Sequence, residues 1–372
     1  MAPPRQAPEL MEELVEEVLI RCQPDDPARL VRAALVCKLW CRVVSGAAFR
    51  RRYRQFHGSP PVLGFFYRRF AAADFIFMNN TSYRPRSTAL PTSCDAWPMD
   101  ARHGRVLFSV TTSRLFVSNP IAGELQSLPT LPPPYTWGSS KAALLCTSEG
   151  CDHLDCPSLP FIVVYLVTDN LSWTTSACIY SSETGAWSEV ASVGHPHDRV
   201  LRGYGTLVGN ALYFILDSFA RILEYNVGKQ ELSMISLPSL CNADFLIAED
   251  GGLGFATVQG EKLCTWSREA CQNGWRWVQR RVIDLKCLLP TRFASISPTT
   301  VAVVDGVNVV FRAAGIGIFH IHLKSGWVTK VGEIGNECCR ITPYMSFYTP
   351  RSLGAASTCE RPRASASDAS QN

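Results

Sequence analysis

The sequence predicts a multidomain α+β chain in which a small all-α module precedes a much larger all-β region. Three observations predict it: helical amphipathicity confined to residues 9–57, short β-rich runs bounded by turn residues after position 60, and a glycine-centred unit that recurs through the second part. The expected division is a disordered start at 1–8, the helical module at 9–57, a β domain at 58–350, and a small, polar, aperiodic and disordered tail at 351–372.

In the first helix Leu10, Leu14 and Val18 fall at i, i+4 and i+8. Val15 and Leu19 widen the stripe, and Glu12, Glu13, Glu16 and Glu17 populate the solvated flank. Pro24 ends this helix. Asp26 is the expected N-cap of the second, with Pro27 at the first helical position, where its missing N–H costs nothing. Leu30, Ala34, Leu35 and Cys37 are its expected buried face. A third helix carries Trp40, Val43 and Val44 up to Gly46, and a fourth presents Phe49, Tyr53 and Phe56 among arginines. Helices this short cannot bury all of their own apolar surface, so a partner is expected to complete the module.

Leu10, Glu13-Leu14, Val18-Leu19, Pro24, the run Leu35-Val36-Cys37-Lys38, Trp40 and Phe49 together resemble an F-box. The segment from Pro24 to Trp40, followed by His57, Pro60 and Pro61, is similar to F-box proteins abundant in grasses. The resemblance implies docking on a Skp-type adaptor, which joins the chain to a cullin scaffold carrying a RING protein. It also implies that this chain selects an unidentified protein substrate for ubiquitin transfer. The candidate adaptor contacts are Leu10, Leu14, Val18, Leu19, Pro24, Leu35, Val36 and Trp40.

Past residue 60, runs such as RVLFSV (105–110), FIVVYLV (161–167), ALYFIL (211–216) and VNVVF (307–311) read as strands. The recurring unit is a polar turn with glycine between strands, with turn glycines at 123, 185, 228, 274 and 326 and hairpin cues at Gly209-Asn210 and Asp305-Gly306. The spacing suits four-stranded blades near 94–129, 141–193, 200–238, 245–285 and 290–334. One more blade would combine VLGFFYRR (62–69) and FIFM (75–78) with 340–349, so that first and last strands pair and leave no open edge. A propeller of six blades is expected, with seven as the alternative. The region resembles the F-box-associated, kelch-like propellers found downstream of plant F-boxes.

A formal charge of +4 on 372 residues gives no nucleic-acid footprint. The basic cluster Arg50, Arg51, Arg52 and Arg54 reads as a solvated helix face. No run is long and apolar enough to span a bilayer, no secretory or transit signal opens the chain, and the fifteen cysteines are scattered. The expectation is therefore a cytoplasmic or nuclear protein with reduced thiols, no membrane contact and no cofactor.

No nucleophile elbow, phosphate loop, dinucleotide fingerprint or H-E-x-x-H helix occurs, so no catalytic residue is expected. Cys146, Cys151, His153 and Cys156 offer four soft ligands, but their spacing fits no common zinc module and a polar inter-strand loop is the expectation, without a metal. His195 with His197, and His320 with His322, would place each pair's rings on one strand face, at the surface or lining the pore. Tyr135, Trp137, Trp173, Arg202, Arg292 and Phe293, aromatic and arginine residues in expected loops, are the candidate substrate contacts. The leading expectation is a non-catalytic substrate receptor of a ubiquitin ligase. The alternative is a small-molecule or glycan-binding propeller, enzymatic or not.

Overall fold

The computed structural model describes residues 11–69, 72–77, 96–110, 114–133, 139–151, 153, 156, 159–195, 197–200, 205–238, 243, 245–249, 251–272, 274–285, 299–304, 308–313, 317–322, 328–332 and 341–350. It opens with four helices, α1 (Glu12–Leu19), α2 (Pro27–Ala34), α3 (Lys38–Ser45) and α4 (Ala47–His57). Pro27 takes the first position of α2 as expected, whereas the Asp26 side chain does not cap it. That carboxylate binds Arg29 instead, at 3.1 Å, because a charged partner one turn along competes with the backbone N–H groups.

The helices share one core, built from Val15, Leu19, Leu30, Ala34, Val43, Val44, Phe49 and Tyr53. Ion pairs from Arg52 to Glu16 (2.9 Å) and Glu17 (2.6 Å) tie α4 to α1, so this member of the basic cluster has its acidic partners inside the module. Tyr53 donates its hydroxyl to the Cys22 carbonyl at 2.9 Å, fixing the end of α1 against α4.

One core residue comes from far along the chain. Phe347 is buried with the helices and meets the Tyr53 ring edge-on at 6.0 Å. The expected strand at 340–349 therefore stops at Met345, and Phe347, just beyond it, serves the helical core instead of a sheet.

The remaining elements are strands: β1 (Val62–Arg69), β2 (Ala72–Phe77), β3 (Trp97–Arg102), β4 (Arg105–Ser109), β5 (Leu115–Asn119), β6 (Glu124–Ser127), β7 (Ser139–Cys146), β8 (Phe161–Asp169), β9 (Thr174–Ser181) and β10 (Ala186–Gly194). They continue as β11 (Thr206–Val208), β12 (Ala211–Ile215), β13 (Arg221–Asn226), β14 (Glu231–Ser236), β15 (Phe245–Glu249), β16 (Gly252–Gln259), β17 (Lys262–Cys271), β18 (Gly274–Asp284), β19 (Thr299–Val304), β20 (Asn308–Ala313), β21 (Gly317–His322), β22 (Val328–Gly332) and β23 (Ile341–Met345).

Among the described residues these strands form five four-stranded antiparallel meanders, β3–β6, β7–β10, β11–β14, β15–β18 and β19–β22, and a three-stranded sheet in the order β2-β1-β23. The last sheet pairs the ends of the β region: Phe65 lies opposite Pro343 and Tyr67 opposite Ile341. Four of the five meanders fall within a segment expected to form one four-stranded unit, and β7–β10 overruns its segment of 141–193 by two residues at the start and one at the end. Hydrophobic clusters bridge neighbouring sheets, as where Leu107 and Val117 pack with Leu144, Val163 and Tyr165.

Turn chemistry explains the regularity. Between β5 and β6, β9 and β10, and β13 and β14, the amide of the fifth turn residue donates to the carbonyl of the first: Gly123 to Asn119, Gly185 to Ser181 and Gln230 to Asn226. In each, the fifth residue is left-handed, with φ of 75°, 67° and 57°. Gly228 lies inside the third of these turns as expected, but Gln230 takes the left-handed conformation, and the Asn226 side chain stabilises the turn by accepting from the Lys229 amide at 2.9 Å. Gly209, at φ 56°, opens the two-residue hairpin between β11 and β12 as expected; the Asp305-Gly306 cue lies outside the described residues.

Among the described residues two outer-strand tryptophans join sheets in the same way. Trp187 of β10 donates its indole N–H to the Pro129 carbonyl after β6 (2.8 Å), and Trp277 of β18 donates to the Ser236 carbonyl at the end of β14 (3.0 Å). Each ring also packs on aromatic residues of its own sheet, Tyr165 and Tyr180 for Trp187, and Phe255 for Trp277. Near the inner strands, buried Asp100 of β3 accepts from the Leu144 amide of β7 (2.8 Å) and pairs with Arg102 (3.2 Å). Burial pushes its carboxyl above the usual range, against the pull of Arg102 and the amide donors.

Candidate functional site

The helical module exposes an apolar surface that its own core leaves over. Leu14 is 48% exposed, Val18 63%, Leu35 68% and Val36 63%, and Met11 and Phe56 are also exposed. Six of the eleven large apolar side chains exposed among the described residues thus belong to the first 57 positions. Helix α1 accounts for this locally. Its Val15 and Leu19 turn inward, while Leu14 and Val18, four apart, form a second stripe facing out. The turn after α2 then presents Leu35 and Val36 with the exposed thiol of Cys37 next to them.

Several sequence expectations are corrected here. Leu19 is 3% exposed and belongs to the core, not to the outer face, because residues 15 and 19 share the side of α1 that meets α2 and α3. Leu35 and Cys37, expected on the buried face of α2, are exposed because the helix ends at Ala34 and the chain turns outward. Phe56 is likewise outside. Pro24 and Trp40 are half-buried, and Trp40 packs against the module's core. Leu10 lies outside the described residues. Sequence reasoning missed Met11, although Met11, Leu14 and Val18 keep the i, i+3, i+7 spacing that marks one helix face. It also missed Phe347, for which no local pattern exists.

Of the six candidate substrate contacts only Trp173 is described; Tyr135, Trp137, Arg202, Arg292 and Phe293 lie outside the described residues. Trp173 sits half-buried in the β8–β9 turn with φ 53° and tilts its ring on exposed His197 at 5.5 Å. His195 does not share a face with His197, correcting the expectation, because the two lie in the irregular segment after β10. His195 is 2% exposed, and its Nε2 contacts the Thr175 hydroxyl at 2.5 Å. Burial lowers its pKa, opposed by Asp198 nearby. His320 is half-buried on β21; the side chain of His322 lies outside the described residues.

The fourth group of interest departs furthest from expectation. The ligand atoms of Cys146, Cys151, His153 and Cys156 all lie within 4.8 Å of one another, where the sequence suggested a polar loop with no shared site. The Cys151 and Cys156 sulfurs are 3.4 Å apart and His153 Nδ1 is 3.5 Å from the Cys156 sulfur. Beside them the His103 ring, on the β3–β4 turn, packs on His153 at 4.6 Å. Burial first, and the neighbouring His153, Arg102 and Arg105, hold His103 neutral, lowering its pKa to about 3.

Among the described residues no helix is long and apolar enough to cross a membrane. No curated protein sequence matches the chain. Solved structures with a similar arrangement include TolB from Acinetobacter baumannii (12% identity, 79% of this chain and 70% of that one, TM-score 0.42). A hypothetical selenium-binding protein from Sulfolobus tokodaii (9% identity, 76% and 77%, TM-score 0.45) and Sqt1 of Saccharomyces cerevisiae (11% identity, 75% and 87%, TM-score 0.40) are others. At these scores the likenesses say nothing of what the chain binds. The profile of the family described as "F-box protein AT5G49610-like, beta-propeller" matches residues 98–351, roughly two thirds of the length and all of β4 to β23. The chain therefore belongs to that family of F-box protein beta-propellers.

Proposed function

We propose that this protein is the substrate-recognition subunit of a Skp–cullin–RING ubiquitin ligase, acting in the cytoplasm or nucleus. Helices α1–α3 dock on a Skp-type adaptor, and a six-bladed propeller holds the protein to be modified. The observation that carries the reading is the outward apolar stripe of α1 with Leu35 and Val36. These side chains lie outside a core that is already filled, so they are available to an adaptor's helical groove without unfolding the module. The family assignment supports it. The contacts are Met11, Leu14, Val18, Leu35 and Val36, with Leu10 next to them in sequence and Pro24 and Trp40 at the margin. Leu19 is set aside because it is buried.

The chain contributes no chemistry of its own in this reading. It raises the effective concentration of a target lysine near a thioester formed on another subunit, which is catalysis by proximity. Co-expression with a Skp-type adaptor is expected to give one stable complex with one copy of each chain on gel filtration. Addition of cullin and RING protein should support ubiquitin transfer to proteins held by the β domain. Separate elution of the two chains at micromolar concentration would refute the reading.

A further inference from the structure

The cysteine and histidine cluster between β7 and β8 has no part in the function above. We propose that Cys146, Cys151, His153 and Cys156 are the four ligands of a structural zinc ion that closes the loop of residues 147–160. Three thiolates and one imidazole are a preferred zinc donor set, and four protein ligands leave no open position for catalysis. With zinc–sulfur bonds of about 2.3 Å and zinc–nitrogen bonds of about 2.0 Å, the edges of a tetrahedral site are roughly 3.5–3.8 Å long. The observed separations, 3.4 Å between Cys151 and Cys156 and 3.5 Å between Cys156 and His153, are close to that, with all four atoms inside 4.8 Å.

The surrounding backbone is organised around the same point. Cys146 is the last residue of β7, paired with Phe161 at the start of β8, so one ligand is fixed by the sheet. Thr147 donates to the Pro160 carbonyl at 3.2 Å, extending the ladder at the base of the loop, and the Cys156 carbonyl accepts from Leu159 at 2.9 Å on its returning arm. The His153 amide donates to the Cys151 sulfur at 3.4 Å, the kind of N–H contact that stabilises a thiolate. Gly150 and His153 both adopt left-handed conformations, φ 65° and 57°. For histidine that conformation is costly, and here it turns the imidazole onto the sulfurs.

A zinc ion with three thiolates carries a net charge of −1, and a cation stands beside it. Arg105 of β4 is 4% exposed, donates through Nη2 to the Leu159 carbonyl inside the loop, and lies over the Phe161 ring at 4.6 Å. The His103 ring covers His153 from the same neighbouring sheet. The site would thus fasten the loop of one meander to the inner hairpin of the next. A Cys151–Cys156 disulfide, the competing use of these atoms, needs sulfurs about 2.05 Å apart and gives no role to Cys146 or His153.

The test uses the full chain purified under reducing conditions after growth with zinc. Metal analysis is expected to find one zinc per chain, and cobalt substitution should give the thiolate charge-transfer bands of a tetrahedral site. Cys151→Ser and His153→Ala should each lower retained zinc at least tenfold, while Cys271→Ser, an exposed cysteine elsewhere, retains it. Should a variant fail to fold, the unmodified chain still decides: chelation should speed alkylation of Cys146, Cys151 and Cys156, and zinc should restore their protection. Zinc below a tenth of the chain concentration, full zinc in folded His153→Ala protein, or a Cys151–Cys156 disulfide in the freshly isolated chain would each overturn the proposal. None of these outcomes bears on adaptor docking.

Discussion

Replacing Leu14 and Leu35 together by aspartate is expected to weaken binding to a Skp-type adaptor by roughly a hundredfold or more. The thermal midpoint of the chain should move by no more than about 2 °C, because substitutions at exposed positions away from special features usually change stability by less than about 0.5 kcal/mol. The contrast follows from where the side chains are. Both are about half or more exposed and absent from the helical core, so the free protein loses little. In a complex each would enter an apolar groove, where an unpaired carboxylate is strongly disfavoured. Titration calorimetry and a thermal melt on the same protein separate the two effects. Trp40→Asp is a poorer choice, since Trp40 packs on the core and its loss would mix folding with binding.

The second large effect lies nearly three hundred residues away from the helices it concerns. Phe347→Ala is expected to destabilise the helical module by about 3–5 kcal/mol, the usual cost of emptying a buried phenylalanine site. Phe347 is 4% exposed, lies in the same core as Val15, Leu30 and Val44, and meets Tyr53 edge-on. Phe347→Leu, which keeps much of the volume, should cost less than half as much. Chemical denaturation monitored by helical circular dichroism, together with alkylation of the half-buried Cys22 beneath Tyr53, measures this directly. Unchanged denaturation of Phe347→Ala would show that the helices need nothing from the end of the β region.

That dependence marks a limit on what could be read from the residues alone. The helical module was legible because its signals are local: proline at the start of α2, glycine after α3, and apolar spacing of three and four. The division of α1 into two faces was not, since Val15 and Leu19 differ from Leu14 and Val18 only in the direction they face, and the packing of α2 and α3 decides that. The strand meanders were legible for a similar reason. In two of them the third and fourth strands are joined by a turn whose polar first residue and left-handed fifth residue are visible in the sequence, Asn119 with Gly123 and Ser181 with Gly185. Between β13 and β14 the turn was legible from Gly228, but the left-handed conformation of Gln230 was not. Phe347 was hidden because long-range closure brings it to its partners. The four soft ligands at 146–156 were legible as residue types but the convergence of their ligand atoms was not, and Phe347 reaches the helices only after β23 pairs with β1.

The most direct measurement of the central claim, that the outward face of α1 and the Leu35-Val36 turn is covered by an adaptor, uses a reporter already in the chain. Cys37 is exposed and adjoins Val36; Cys271, exposed at the end of β17, serves as the internal reference. Alkylation of each thiol, followed by peptide mass spectrometry with and without a saturating Skp-type adaptor, should show Cys37 slowed at least tenfold and Cys271 unchanged. Equal slowing of both, or a Cys37 rate that the adaptor does not alter, would contradict the account.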